Sequence, residues 1–141
     1  MGQILSFRDL DVWNAAMDLV VLVYRLCTRL PRTEQFGLIS QMQRASVSIP
    51  SNIAEGHANG PGKRYRWHVR TALGSIAELD TQIEVVRRLQ YLSPTDTKGA
   101  EQQLIRTRQL LHGLNRSLRR RQATQALLVA AFFVGGSALV F

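Results

Sequence analysis

The stretch QMQRASVSIPSNIAEG, residues 41–56, decides how the chain folds. With Leu38 just before it, Met42, Ala45, Ile49 and Ile53 recur at spacings of four and three, which collects them on one side of an α-helix and requires other helices to cover that side. Pro50 stands inside this pattern. Its ring removes a backbone donor and presses on the carbonyl of Ser46. The spacing therefore predicts a bend or an end there, unless the hydroxyls of Ser46, Ser48 and Ser51 and the surrounding packing compensate. Asn52 and Glu55 set polar groups beside the apolar seam, and Gly56 supplies the left-handed residue that commonly closes a helix. Pro50, Asn52, Glu55 and Gly56 read either as a polar site or as a hydrogen-bonded structural knot at a bent helix. The knot is the preferred reading, because buried polar groups are normally paired.

Working outward, the flanking segments repeat the same periodicity. Trp13, Ala16, Val20, Val23, Cys27 and Leu30 step by three and four, with Val12, Leu19 and Leu26 widening the face, and Pro31 stops the helix. Asp9 or Asp11 is placed to cap its start. Val69, Ala72, Ile76, Leu79, Ile83 and Val86 form an unbroken heptad seam in a third helix. Gly74 in that helix costs about 1 kcal/mol in propensity and predicts the close approach of another helix. Beside the seam runs a polar stripe of Thr71, Ser75, Glu78 and Gln82, facing solvent, an interface, or Asn52 and Glu55. Ser93-Pro94-Thr95-Asp96 is a helix-start signal, and Leu104, Thr107, Leu111, Leu114 and Leu118 give a fourth seam. The connections are short. The expected fold is all-α, an antiparallel up-and-down four-helix bundle over residues 1–121, with helices at about 10–30, 37–57, 63–92 and 94–121.

The phrases that carry this pattern also carry a resemblance. Phe7-Arg8-Asp9-Leu10-Asp11-Val12-Trp13, Phe36-Gly37-Leu38, Arg44-Ala45, Ile49 to Gly56, and Ala72-Leu73-Gly74-Ser75-Ile76-Ala77-Glu78-Leu79 resemble, in order and spacing, the four-helix-bundle proteins encoded in intervening sequences of bacterial 23S rRNA genes. That resemblance spans about residues 7–118 and implies the bundle. More remotely, the family is similar to the accessory protein of diversity-generating retroelements. This second likeness implies a basic homopentamer that partners a reverse transcriptase and nucleic acid.

Charge points to the same class of partner. Residues 1–62 carry five basic and five acidic side chains, whereas residues 63–141 carry thirteen basic against five acidic, so the later half holds the whole net charge of +8. Sixteen of the eighteen cations are arginine, whose planar fork suits phosphate. A GC-rich genome, which enriches arginine codons, accounts for the same count without any function. The candidate RNA or DNA contacts are Lys63, Arg64, Arg66 and Arg70 at the start of the third helix, and Arg106, Arg108, Arg116, Arg119, Arg120 and Arg121 along the fourth. Gly60-Pro61-Gly62-Lys63 is not a phosphate-binding P-loop. Its first glycine is displaced, Arg64 replaces the needed Ser or Thr, and it follows a helix. Tyr65 and Trp67 lie among cations, as in single-strand binders, but aromatics at a helix start more often cover one end of a core, which is the preferred reading.

No catalytic constellation is present. The three histidines fall in separate segments, and no Cys-x-x-Cys or His-x-x-x-His occurs. The expectation is a non-enzyme with neither metal nor cofactor. Cys27, the sole cysteine, occupies a seam position and reads as a small core residue. The start MGQILSFRDLD has no apolar signal core, which with the lone cysteine suggests the cytoplasm.

Residues 122–141 are a different material. From Ala123 to Phe141 there is no charge, and residues 126–134 are continuously apolar, directly after Arg119 to Arg121. Three readings stay open: a membrane anchor with a positive flank, a segment packed on the bundle or inside an oligomer, and an irregular gene end. The leading functional reading is an oligomeric RNA- or DNA-binding accessory protein. The alternative is a protein-interaction scaffold tethered by this tail.

Overall fold

The computed structural model describes residues 4–136, and among them the apolar periodicities resolve into four helices with no strand. They are α1 (Asp11–Cys27), α2 (Leu38–Ala58), α3 (Lys63–Arg88) and α4 (Pro94–Gly136). Short 3-10 turns at Phe7–Asp9 and Arg32–Glu34 precede the first two. Each helix packs on its neighbours in sequence, α4 closes the ring against α1, and the diagonal pairs do not meet. With connections this short, consecutive helices run antiparallel. At one end Arg29, after α1, reaches Asp96 at the start of α4 (2.9 Å), and Tyr91 Oη donates to Glu34 Oε1 (3.0 Å).

The seam residues fill the middle. Leu19, Met42, Ile49, Ile53, Ile76, Leu79, Ile83, Leu104 and Leu111 are all fully buried, each contributing about 1.5–3 kcal/mol of apolar transfer. Cys27 is buried among them, and desolvation pushes its thiol up to about 11, which removes it as a nucleophile at neutral pH.

Pro50 neither ends nor breaks α2, which continues to Ala58. Side-chain donors reinforce the turns on either side. Ser46 Oγ donates to the Gln43 carbonyl (2.8 Å), Ser51 Oγ to the Val47 carbonyl (2.9 Å), and Asn52 Nδ2 to the Ser48 carbonyl (2.9 Å). Pro50 itself is buried between the fully buried Ile49 and Ile53, so packing holds the helix across the missing bond.

Two glycines behave differently from their sequence reading. Gly56 is not a left-handed terminator but a helical residue pressed against α3. A Cβ built on it would lie 2.5 Å from Tyr65 Cδ2 and 3.0 Å from His68 Cβ. Positive φ falls instead on Gly60 (73°) and Gly62 (150°) in the connection that follows. At Gly74 no helix comes near, and an added Cβ would meet nothing within 4 Å.

Asp9 caps the first 3-10 turn, accepting from the Leu5 and Ser6 amides, so α1 begins without a side-chain cap. Helix α4 is capped as its sequence signal predicts. Ser93 Oγ accepts from the Asp96 amide (3.2 Å), while Asp96 Oδ2 accepts from the Ser93 amide (2.9 Å) and hydroxyl (2.8 Å). These bonds, led by the Ser93 amide and joined by Arg29, hold the Asp96 carboxyl down at about 2. A depressed carboxylate stabilises the fold above its ordinary pKa of 3.8 and loses that effect as pH falls toward 2. The denaturation midpoint of Asp96→Asn is therefore expected below that of the parent at neutral pH, with the gap closing as pH drops from about 4 to about 2. A gap independent of pH would rule out the carboxylate as its source.

Helix α4 does not stop at Arg121. It runs on as one rod to Gly136, carrying residues 123–134 beyond the bundle with all of them exposed. Among the described residues no helix is long and apolar enough to cross a membrane.

Candidate functional site

Two polar assemblies stand out against the apolar core. The first lies between α2 and α3. Asn52 Oδ1 pairs with His68 Nδ1 (3.0 Å), and Asn52 Nδ2 donates to Ser48 Oγ (3.1 Å), which shares a hydrogen bond with Ser75 Oγ (2.9 Å). Glu55 Oε2 lies 3.5 Å from His68 Nδ1 with its side chain largely in solvent. His68 and Ser75 are buried, so the chain of bonds satisfies groups that would otherwise be costly. Glu78 does not join it. Its carboxylate accepts from Gln82 Nε2 (3.1 Å) on the same helix, and its side chain is exposed. The assembly pins two helices together, with the Glu55 carboxylate at its solvent-facing edge.

The second assembly is the basic end of the bundle, where the α2–α3 connection meets α4. Gly62 starts α3 with no side-chain cap, leaving the first amides of the helix without a capping acceptor. Lys63, Arg66, Arg119 and Gln122 line one open groove of about 850 Å³, with Ala123, Ala126 and Ala130 of the α4 extension as its apolar wall. Arg66 Nη1 donates to Gln122 Oε1 (2.7 Å), while Arg66 Nε and Gln122 Nε2 are buried donors with no acceptor among the described residues. Arg121 lines an adjoining cleft with His57, Pro61 and Tyr65. Burial raises the Tyr65 hydroxyl above its ordinary pKa, with the Arg121 charge acting in the opposite direction.

Of the ten cations singled out from sequence, Arg108 is the one that an acid neutralises among the described residues, through Asp80 Oδ2 at 2.6 Å. The ion pairs of Arg29, Arg87 and Arg88 consume Asp96, Glu84 and Glu101 at the far end of the bundle. Lys63, Arg64, Arg66, Arg116, Arg119, Arg120 and Arg121 gather at the basic end, and Arg70 follows two turns into α3. Arg106 and Arg108 do not belong to that group. Thirteen residues separate Arg106 from Arg119, about 20 Å along the rod. Tyr65 is buried against Gly56 and is no stacking platform, whereas Trp67 is exposed, its ring edge-on to His68 at 4.8 Å.

The sequence reading gave Ser48 a role only in compensating Pro50, and it assigned no place in either assembly to His68 or Gln122. A signal for His68 existed, since His68, Ser75 and Gln82 are spaced by seven and fall at one heptad position. Among the described residues no group of three or more His, Cys, Asp or Glu is placed to hold a metal ion.

Comparison with known proteins fits this geometry. The family described as 23S rRNA-intervening sequence protein matches residues 8–113. The arginines from Arg116 to Arg121 and the α4 extension lie beyond the matched segment. A crystal structure at 1.70 Å from Bacteroides thetaiotaomicron VPI-5482, a protein of unknown function from the S23 ribosomal protein family, superposes with a TM-score of 0.68 at 19% identity, covering 74% of this chain and 97% of that one. At that identity the likeness concerns the fold. No curated protein matches the chain.

Proposed function

Because the chain belongs to the 23S rRNA-intervening sequence protein family, we propose that it is a non-enzymatic accessory protein that holds the phosphate backbone of RNA at the basic end of its bundle, without reading sequence. The observation that carries this reading is the segregation of charge. Seven cations crowd one end against the three acids that stand there, Asp9, Asp11 and Glu55, none of which lies within ion-pair distance of the seven among the described residues, while the acids that pair with arginine lie elsewhere. Collecting like charges destabilises a fold unless a polyanion neutralises them. The uncapped start of α3 and the unsatisfied donors of Arg66 and Gln122 favour the same kind of ligand. A reverse-transcriptase partner and a count of five rest on the retroelement resemblance alone and form no part of the proposed role.

An electrophoretic shift titration at rising salt tests it. The expected result is binding to unrelated RNA sequences with similar affinity, weakening on a log–log plot with a slope of about −4 to −5, as seven phosphate contacts imply. Equal binding to single-stranded DNA would place recognition in the phosphates and not in the 2′-hydroxyls. No shift at low salt with either polymer would overturn the proposal.

A further inference from the structure

Beyond the bundle, the extension of α4 has the surface of a helix made for an apolar solvent. Leu127, Leu128, Val129, Phe132 and Val134 are exposed by 53% to 80%. At 3.6 residues per turn they cover roughly 220° of its circumference. An amphipathic helix that docks on a protein presents a stripe of about 100°, whereas one that is apolar all round is made for immersion. Ala123, Ala126 and Ala130 fall on the remaining arc and, with Gln125 and Val129 at its edge, face the start of α3 across the groove. Directly beneath stand Arg119, Arg120 and Arg121 with Lys63 and Arg64, and the sequence has no acid after Glu101. An uncharged rod rising from a cationic collar complements one surface in both of its layers, apolar acyl chains beneath anionic headgroups.

We propose that the α4 extension inserts into an anionic lipid surface, with the arginine collar seated at the headgroups. The described part of the rod, Ala123 to Gly136, measures about 21 Å, against about 30 Å for a bilayer's hydrocarbon core, which is enough to enter the apolar layer. The bundle is thereby held at the membrane by its basic end. This inference does not rest on RNA binding, since it is carried by the apolar extension; the collar arginines would serve headgroup phosphates or RNA phosphates, one at a time.

Flotation of the full-length protein with phosphatidylcholine–phosphatidylglycerol vesicles, and with phosphatidylcholine alone, tests it beside the Leu128→Asp/Phe132→Asp variant. Both substituted side chains are exposed, so the bundle melts as the parent does. The parent is expected to float with the mixed vesicles and more weakly with the neutral ones, and the variant to lose about tenfold or more of the bound fraction while keeping its RNA shift. Several results overturn the proposal. A parent that never floats removes it. A variant that floats equally assigns binding to the arginines alone. A parent that self-associates through the extension and ignores vesicles identifies the cover as a second copy of the chain. A failed RNA shift with intact flotation removes the RNA reading and leaves this one standing.

Discussion

Replacing Gly56 by alanine is expected to destabilise the protein by about 2–3 kcal/mol, although the same change in an exposed helix interior gains up to about 1 kcal/mol. The new Cβ would sit 2.5 and 2.9 Å from the edge of the Tyr65 ring and 3.0 Å from His68 Cβ. Neither neighbour can withdraw cheaply. Tyr65 is buried with His57 edge-on to its ring at 6.1 Å, and His68 is buried and held by Asn52. Relief would have to come from parting α2 and α3 at their connection, which loosens the Asn52–His68–Ser48–Ser75 chain as well. Gly74→Ala supplies the contrast on the same scaffold, because its Cβ enters open space on an exposed helix face. It is expected to stabilise by about 0.5–1 kcal/mol. Urea denaturation of the two variants decides. If Gly56→Ala were as stable as Gly74→Ala, α2 and α3 would not approach as closely as this packing requires.

That contrast shows where sequence reasoning stopped. Both glycines lie in helical patterns, and local rules assigned one to a terminus and the other to a close approach. Which way each Cα faces in the bundle depends on the rotation of its helix, and the close approach falls at Gly56, whereas Gly74 faces open space in the middle of α3. The seams themselves were legible, because a heptad of Val69, Ala72, Ile76, Leu79, Ile83 and Val86 leaves a helix little choice of buried face, and all six are buried. The polar chain was half legible. Ser75 lies on the face that His68 and Gln82 share, since seven residues bring a helix back to within about 20°, whereas Glu78 is turned about 60° away and meets solvent. The end of α4 was misjudged for a different reason. A change from charged to apolar composition at Arg121 marks a change of surroundings, and the alanines and leucines that follow continue a helix without interruption. For the cations, sequence density could not show that Arg108 reaches Asp80 on α3, nor that Arg106 stands a third of the rod away from the collar.

The collar should dominate nucleic-acid affinity. In Arg119→Ala/Arg120→Ala/Arg121→Ala, three unpaired guanidinium groups disappear from a helix that keeps its propensity, since alanine replaces exposed residues. Each lost phosphate contact removes roughly 0.7 from the salt slope for a single strand, so the slope is expected to flatten by about 2 and low-salt affinity to fall by roughly 10- to 100-fold. Arg108→Ala measures the opposite case. Its guanidinium is already engaged by Asp80, so RNA affinity should change by less than about twofold while α3 and α4 lose one partly exposed ion pair, worth about 0–1 kcal/mol. The ranking of the two variants carries more weight than either value alone. Unpaired charge beside an uncapped helix start can bind phosphate without first giving up a partner, and charge already spent on a carboxylate cannot. Equal losses from both variants would mean that affinity follows net charge alone, and the basic end of the bundle would then hold no site.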